Sequence, residues 1–496
     1  MNSVARRAAA RLQSPGTHAP HVQQVPAGAA IQDSPAKDQR GKPGRPRRET
    51  TKAMTARILF EGHNLTLASA TGIGTYARTL AHTARTIGYE TDVLISSNAR
   101  YDRKDPQFSE IALFDPLTAR KPSVAVRVAS LSASMFGRPF GMRPSKFQHI
   151  GSVVGSSADT LSAFNTIYTA PNVFDVARSH FRRHGRLMSV RVEEKPALFH
   201  ATHPTPVSIP NCPNIYTIHD LVPLRLPHAT LDDKRYTIRL LRHLCRKADH
   251  LVTVSNFSKT DIMRLFNLPE ERITNTYQSV DLPEALLARP EAEVADEIAN
   301  AFGVGFREYF LFVGAIEPKK NISRLIDAYA ASGSQHPLLI AGGLGWQYER
   351  DIEKINDEKF LYYRKDRGRI QPERRVRRLA YLSLPQLVSL IRGARAILFP
   401  SLYEGFGLPV LEAMLLGTPV LTSNAASLPE ISGDAAILVD PLDTDAISRA
   451  IRALDQDADL RGELSLRGTK RAAFFSPKAY RKTVAELYER LGVTPA

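Results

Sequence analysis

The chain has 496 residues, 43% of them hydrophobic, and a formal net charge of +16. That length supports a buried core and about two or three domains, and the absence of an apolar run of about 18 residues argues against a membrane-spanning helix. Its two cysteines, Cys212 and Cys245, exclude a disulfide framework or a cysteine-rich zinc site and fit a reducing compartment.

The charge is concentrated. Residues 1–57 hold eleven Lys/Arg against three Asp/Glu, and residues 364–378 hold eight against two. These segments contribute +8 and +6, so the remainder is near neutral and a chain-wide nucleic-acid surface is not expected. Poor in aromatic residues, residues 1–55 read as a basic tail with no core of its own. The tail has no apolar stretch of about 7–15 residues, so it is not a secretory signal. Its acid-free start resembles a transit peptide, and "KPGRPRR" (Lys42–Arg48) resembles an arm that enters the DNA minor groove. A plain solvated tail and a contact with anionic lipid are the other readings.

The first strand is expected at "ARILFEG" (Ala56–Gly62), followed by a glycine loop, a helix within Gly72–Gly88 and a strand at Glu90–Ser96. This order opens a doubly wound α/β domain. Residues 100–195 read as elaboration, with Ser123–Gly137 a core helix rather than a membrane-surface helix. Strands resume at Ala197–Ala201, Asn214–Asp220 and His250–Ser255. An acidic, weakly patterned connection is expected at 282–307. A second α/β series follows over 308–475, with uniformly apolar strands suited to a parallel sheet covered on both faces. The expected fold class is therefore α/β, with two Rossmann-like doubly wound domains, 56–281 and 308–475, facing a central cleft. Residues 476–496 form a C-terminal helix that returns toward the first domain.

The stretch "FPSLYEGFGLPVLEAMLLG" (Phe399–Gly417) follows a strand, and a helix is expected to begin near Leu408–Pro409. Gly405 and Gly407 allow backbone N–H groups to approach a ligand, and the helix start favours an anion. Glu404 and Glu412 flank this loop; a carboxylate accepts two hydroxyls of a sugar diol. Glu412 has a plainer reading, an acid in a first turn complementing the helix dipole. His219, at a strand end, is equally readable as a structural hydrogen-bonder, and His200 and His203 receive no functional role. The acidic runs Asp443–Asp445 and Asp455–Asp459 read as surface acids rather than a metal motif.

"YEGFGLPVLEAMLLGTPVLTS" closely resembles the signature of retaining glycosyltransferases of family 4, which have the GT-B fold. "VGAIEPKKN" resembles that family's phosphate-binding loop and "TGIGTYARTL" its N-terminal glycine loop. "TIHDLVPLRLP", "TVSNFSK" and "SLPEISGDAAILVDPLD" resemble other strand ends of the family. The resemblance runs from about Arg57 to the C-terminus and thins over 100–195. It implies that Glu404, with the N–H groups of Gly405, Phe406, Gly407 and the adjoining Leu408, binds the donor sugar. Glu412 would bind the nucleotide ribose and Lys320 the diphosphate. Many relatives carry an arginine where this chain has Ala315, and Lys319 is expected to replace its charge. Gly72 and Gly74 would approach donor and acceptor, and His219 the transferred sugar.

The expected activity is metal-independent, retaining hexosyl transfer without a cofactor. The best-matched donor is GDP-mannose, with a UDP-sugar as the alternative. The expected acceptor is a glycan or lipid-linked sugar in surface polysaccharide or lipopolysaccharide assembly. The expected location is the cytoplasm, against the inner face of an anionic membrane. A nucleic-acid-binding protein acting through the tail is the reading from another class.

Overall fold

The computed structural model describes residues 56–65, 72–97, 99, 102, 104–115, 141–147, 151, 153, 160–366, 369–380 and 382–495. The basic tail, its Lys42–Arg48 stretch and the Ser123–Gly137 helix lie outside the described residues. So do the side chains of 364–371.

The first half contains strands β1 (Arg57–Glu61), β2 (Glu90–Ser96), β3 (Ser145–Phe147), β4 (Thr166–Ala170), β5 (Met188–Ser189), β6 (Leu198–Ala201), β7 (Val207–Ser208), β8 (Asn214–Thr217), β9 (His250–Thr253) and β10 (Ile273–Asn275). Eight of them form one sheet in the order β10-β9-β8-β6-β1-β2-β4-β3. Every pairing in it is parallel except that of the edge strand β3 with β4. Alternate residues of β1 face opposite sides: Ile58 and Phe60 join one core, Leu59 the other.

The second half contains β11 (Phe310–Val313), β12 (Leu338–Ala341), β13 (Leu361–Asp366), β14 (Arg369–Arg374), β15 (Val376–Leu379), β16 (Ala396–Phe399), β17 (Val420–Ser423) and β18 (Ile437–Val439). Six form a parallel sheet ordered β15-β12-β11-β16-β17-β18. β11, β12, β16 and β17 are buried at every position, as strands covered on both faces must be. The basic segment 364–378 falls largely in the separate antiparallel hairpin of β13 and β14.

Strand order reverses at β1/β6 in the first sheet and at β11/β16 in the second. The crevice outside the carboxyl ends of such strands is where doubly wound folds bind ligands. The segments after β11 and β16 are "GAIEPKKN" and "PSLYEGFG", so topology brings the lysines and Glu404 to one crevice.

Three sequence expectations change. β4, "TIYTA", is a fully buried member of the sheet rather than elaboration, because its β-branched and aromatic residues fill both faces. Residues 282–307, expected as a weakly patterned connection, hold the regular helices Glu284–Leu287 and Glu291–Phe302. Val294 and Ile298, one turn apart, are buried, and Ile298 closely approaches Gly393 at the end of helix Leu384–Gly393. Charge outside the two basic segments is also less evenly spread than its sum implies. Helix Val173–His184 carries three Lys/Arg and helix Lys234–Lys247 carries six, against the single acid Asp175. The two helices meet where Phe181 stands 5.9 Å from the Tyr236 ring and 5.5 Å from His243, and Arg182 pairs with Asp233, the cap of the second helix.

The C-terminal helix Pro477–Arg490 packs on the first half. The Tyr488 hydroxyl lies 2.8 Å from His200 Nδ1, and the other ring nitrogen of His200 meets the Thr217 hydroxyl at 3.0 Å. Burial, with His250 and His219 adding like charge, pushes His200 down to about 3, so the ring is a neutral structural link. Tyr488→Phe should leave that buried nitrogen unsatisfied and cost about 1–3 kcal/mol of stability, measurable by denaturant unfolding.

Candidate active site

Glu404 lies beyond the carboxyl end of β16, buried, with two lysines from the segment after β11. Lys320 Nζ donates to Glu404 Oε1 at 2.6 Å, and Lys319 Nζ stands 3.8 Å from Oε2 and 3.5 Å from Glu317 Oε1. Lys320 also sits over the Phe399 ring, 4.9 Å from its centre. Burial alone would raise the Glu404 carboxyl, but Lys320 and Lys319 outweigh it and hold the group below its ordinary value. Burial likewise opposes a charged Lys319; Glu404, Asp220 and Glu317 reverse that and hold the ammonium above its ordinary range. Lys319, Lys320 and the Glu404 carboxylate thus meet in one largely buried cluster. Ala315 is exposed nearby and contributes no charge.

The helix Leu408–Leu415 starts as the sequence predicts, with Pro409 in its first turn. Its cap, Gly407, has φ 109°, a backbone that a side chain would strain, and an added Cβ would also meet Leu428 at 2.7 Å. Ser427 Oγ donates to the carbonyls of both Glu404 and Phe406, at 2.9 Å each, and Phe406 packs edge-on against Phe475. Among the described residues, no acceptor meets the N–H groups of Gly405, Phe406 or Gly407. A braced loop of unpaired donors beside a helix N-terminus attracts oxyanions and sugar oxygens.

The carboxyl of Glu412, just over one turn into the helix, has no hydrogen-bond partner among the described residues. Burial raises its carboxyl from 4.5 to about 7. A group protonated more readily in the folded state makes stability fall as pH rises through that window. Glu412 therefore contributes a fall in stability between about pH 4.5 and 7, opposed by the rise from buried neutral histidines such as His200, and the melting temperature of the wild type relative to Glu412→Gln should fall as pH rises through that window.

His219 follows β8. A carbonyl only accepts, so its Nε2–H donates to Thr202 O at 2.9 Å, leaving Nδ1 as an acceptor. The ring stands edge-on to Tyr76, centres 4.8 Å apart. Burial holds its pKa below the ordinary value, against the Thr202 carbonyl and Asp220.

The two halves meet here. A Cβ on Gly405 would lie 2.5 Å from the His219 carbonyl oxygen, and one on Gly72 would lie 3.8 Å from Leu408. Gly72 and Gly74 occupy the first turn of helix Gly72–Ile87 rather than a loop before it. Ser258 Oγ donates to Gly405 O at 3.3 Å, and the Tyr403 hydroxyl to Asp261 at 2.7 Å. Glu430 accepts the N–H groups of Asn256 and Phe257 at 2.8 and 2.9 Å, capping helix Asn256–Phe266 from across the cleft.

Sequence reasoning missed these bridging residues, along with the cluster of Glu61, Thr202 and His203. "TVSNFSK" contained Ser258 and the capped helix start, but nothing in it announced partners about 150 residues away. The acidic runs act structurally: Asp443 and Asp457 cap helices through Ala446 and Leu460, and Asp455 pairs with the distant His336 and Arg395.

Two parallel sheets with facing carboxyl edges, a buried acid–lysine cluster and a second acid on the following helix define a GT-B glycosyltransferase. The fold is shared by Anabaena HepE in complex with UDP and glucose, at a TM-score of 0.57 and 15% identity over 88% of this chain and 100% of that one. The family model for glycosyl transferases group 1 matches residues 297–471, and that for Glycosyltransferase Family 4 matches 154–283. The O-antigen chain mannosyltransferase B of Escherichia coli is 34% identical over 62% of this chain and 83% of its own length. The E. coli serotype-specific mannosyltransferase WbdA is 29% identical over 54% of this chain, which spans 33% of that relative. The chain belongs to glycosyltransferase family 4, whose members are retaining hexosyltransferases that bind nucleotide-sugar donors and acceptors. Among the described residues, no helix is long and apolar enough to cross a membrane.

Proposed function

We propose that the chain transfers mannose from GDP-mannose to a glycan or lipid-linked acceptor in surface polysaccharide synthesis. One observation carries the donor site: the Lys319–Lys320–Glu404 cluster stands beside the unpaired N–H groups of Gly405, Phe406 and Gly407. In this reading Glu404 and those N–H groups hold the sugar hydroxyls, with Leu408 beside them. Glu412 holds the ribose. Lys320 and Lys319 neutralise the diphosphate, Lys319 taking the place of the arginine absent at Ala315. Gly72, Gly74 and His219 line the opposing wall. Residues 308–475 are then the donor half and 56–281 the acceptor half, with 282–307 between them and 476–496 returning to the first.

Breaking the sugar–phosphate bond places negative charge on the departing oxygen. Two fixed lysines and a helix start stabilise that charge without reorganising. The acceptor hydroxyl attacks the anomeric carbon on the face the phosphate leaves; its oxygen–carbon bond forms as the carbon–phosphate-oxygen bond breaks. The hydroxyl proton passes to the departing phosphate oxygen. No protein nucleophile or metal takes part.

Mannose is favoured by the mannosyltransferase relatives. A UDP-sugar is the second reading, supported by the UDP and glucose in the HepE structure. The basic residues of helices Val173–His184 and Lys234–Lys247 favour peripheral contact with an anionic cytoplasmic membrane surface. The test is a panel of radiolabelled GDP- and UDP-sugars incubated with membranes. The wild type should incorporate mannose, and Glu404→Ala should not; turnover of no donor by the wild type contradicts the proposal.

A further inference from the structure

Glu61 is a charge with no place in the donor site, yet it is wholly buried. It ends β1, and His203 lies just beyond β6, so the two flank the point where the first sheet's strand order reverses. Three groups converge on its carboxylate: the Thr202 hydroxyl at 3.0 Å, His203 Nδ1 at 2.7 Å, and the backbone N–H of His63. Burial would raise this carboxyl, but His203, the His63 N–H and Thr202 outweigh it and hold it below its ordinary value. The acid is therefore ionised, and an ionised carboxylate only accepts. His203 Nδ1 must carry a proton toward Glu61, so the Asn64 Nδ2 donor 3.1 Å away is not bonded to that nitrogen.

In the neutral ring that leaves Nε2 as the acceptor. Nε2 has no partner among the described residues, and the side chain keeps 21% of its surface open. Thr202, steadied by Glu61 through its hydroxyl, also supplies the carbonyl that receives His219 Nε2–H. One carboxylate thus governs both histidines at the carboxyl edge.

We propose that Glu61 is a positioning residue for transfer: it holds His203 with Nε2 presented as an acceptor for a hexose hydroxyl and, through Thr202, sets the orientation of His219. The proposal rests on the transferase reading above and adds to it a hydroxyl-recognition point on the wall opposite Glu404. The hydroxyl belongs either to the donor sugar or to the acceptor.

The test uses the full chain with GDP-mannose and UDP-glucose. Glu61→Gln should keep GDP and UDP affinity and lose about 10–100-fold in rate, the usual scale for removing the partner that orients a functional histidine. A fall in donor hydrolysis as well as transfer assigns the hydroxyl to the donor; a fall in transfer alone assigns it to the acceptor. Glu61→Gln combined with His203→Gln should lose less than the product of the two single losses, because the His203 part of the effect is already gone and only the His219 part remains. A wild-type rate in Glu61→Gln, or losses that multiply in the double variant, overturns the proposal. NMR of the histidine ring nitrogens in the ligand-free wild type tests it independently of turnover: His203 should carry its proton on Nδ1 only, and a proton on Nε2, with or without one on Nδ1, overturns it. Failure of the wild type on both donors with the Nδ1 proton in place instead counts against the transferase reading.

Discussion

Exchanging Glu404 for glutamine should lower hexosyl transfer by about 100–1,000-fold, the scale of losing one preorganised electrostatic partner. The same exchange should destabilise the protein. Lys320 Nζ, 2.6 Å from the carboxylate, is buried and would lose its counter-charge. Breaking a buried pair by removing one partner costs about 3–5 kcal/mol, because the remaining charge stays desolvated. Adding Lys320→Met removes that stranded charge. The double variant should regain much of the lost melting temperature and remain inactive. Recovery of activity together with stability would reduce Glu404 to a structural ion.

The second large effect is expected at Gly405. An alanine there places a methyl group 2.5 Å from the His219 backbone oxygen and 3.0 Å from Asp220 Cβ. Neither atom belongs to a flexible side-chain end, so the two halves must separate or the Glu404 loop must shift. A displacement of about 1 Å in a reacting constellation costs roughly 100-fold in rate, and Gly405→Ala should show that loss in the rate of transfer. The control is Gly462→Ala, within helix Ala458–Ala472, where a Cβ meets nothing within 4 Å. It should leave transfer unchanged and stabilise by about 0.5–1 kcal/mol. Equal transfer rates in the two variants would show that the close approach at Gly405 does not set the site.

What the sequence made legible were features whose partners lie nearby in the chain. Gly407, Pro409 and Glu412 sit within one strand–loop–helix unit, so local rules locate the helix start. β11, β12, β16 and β17 announce themselves as short apolar runs. Lys320 was expected beside the donor, but its pairing with Glu404 spans 84 positions and has no local signature. Glu61 is less legible still. Its partners Thr202 and His203 are 141 and 142 residues away, and an acid ending an apolar strand reads as an ordinary surface turn. β4 was obscured by its Arg- and Ser-rich surroundings. The basic residues of helices Val173–His184 and Lys234–Lys247 were hidden by summation, since acids elsewhere cancel them in the net charge.

The central claim is that Glu404 faces the transferred sugar and Glu412 the nucleotide. Calorimetric titration of GDP and GDP-mannose into the wild type, Glu404→Gln and Glu412→Gln tests it most directly. Glu404→Gln should bind GDP as the wild type does and lose the added affinity for GDP-mannose, whereas Glu412→Gln should weaken both ligands by the same factor. Equal weakening of GDP and GDP-mannose by Glu404→Gln, or unchanged GDP binding in Glu412→Gln, would contradict it.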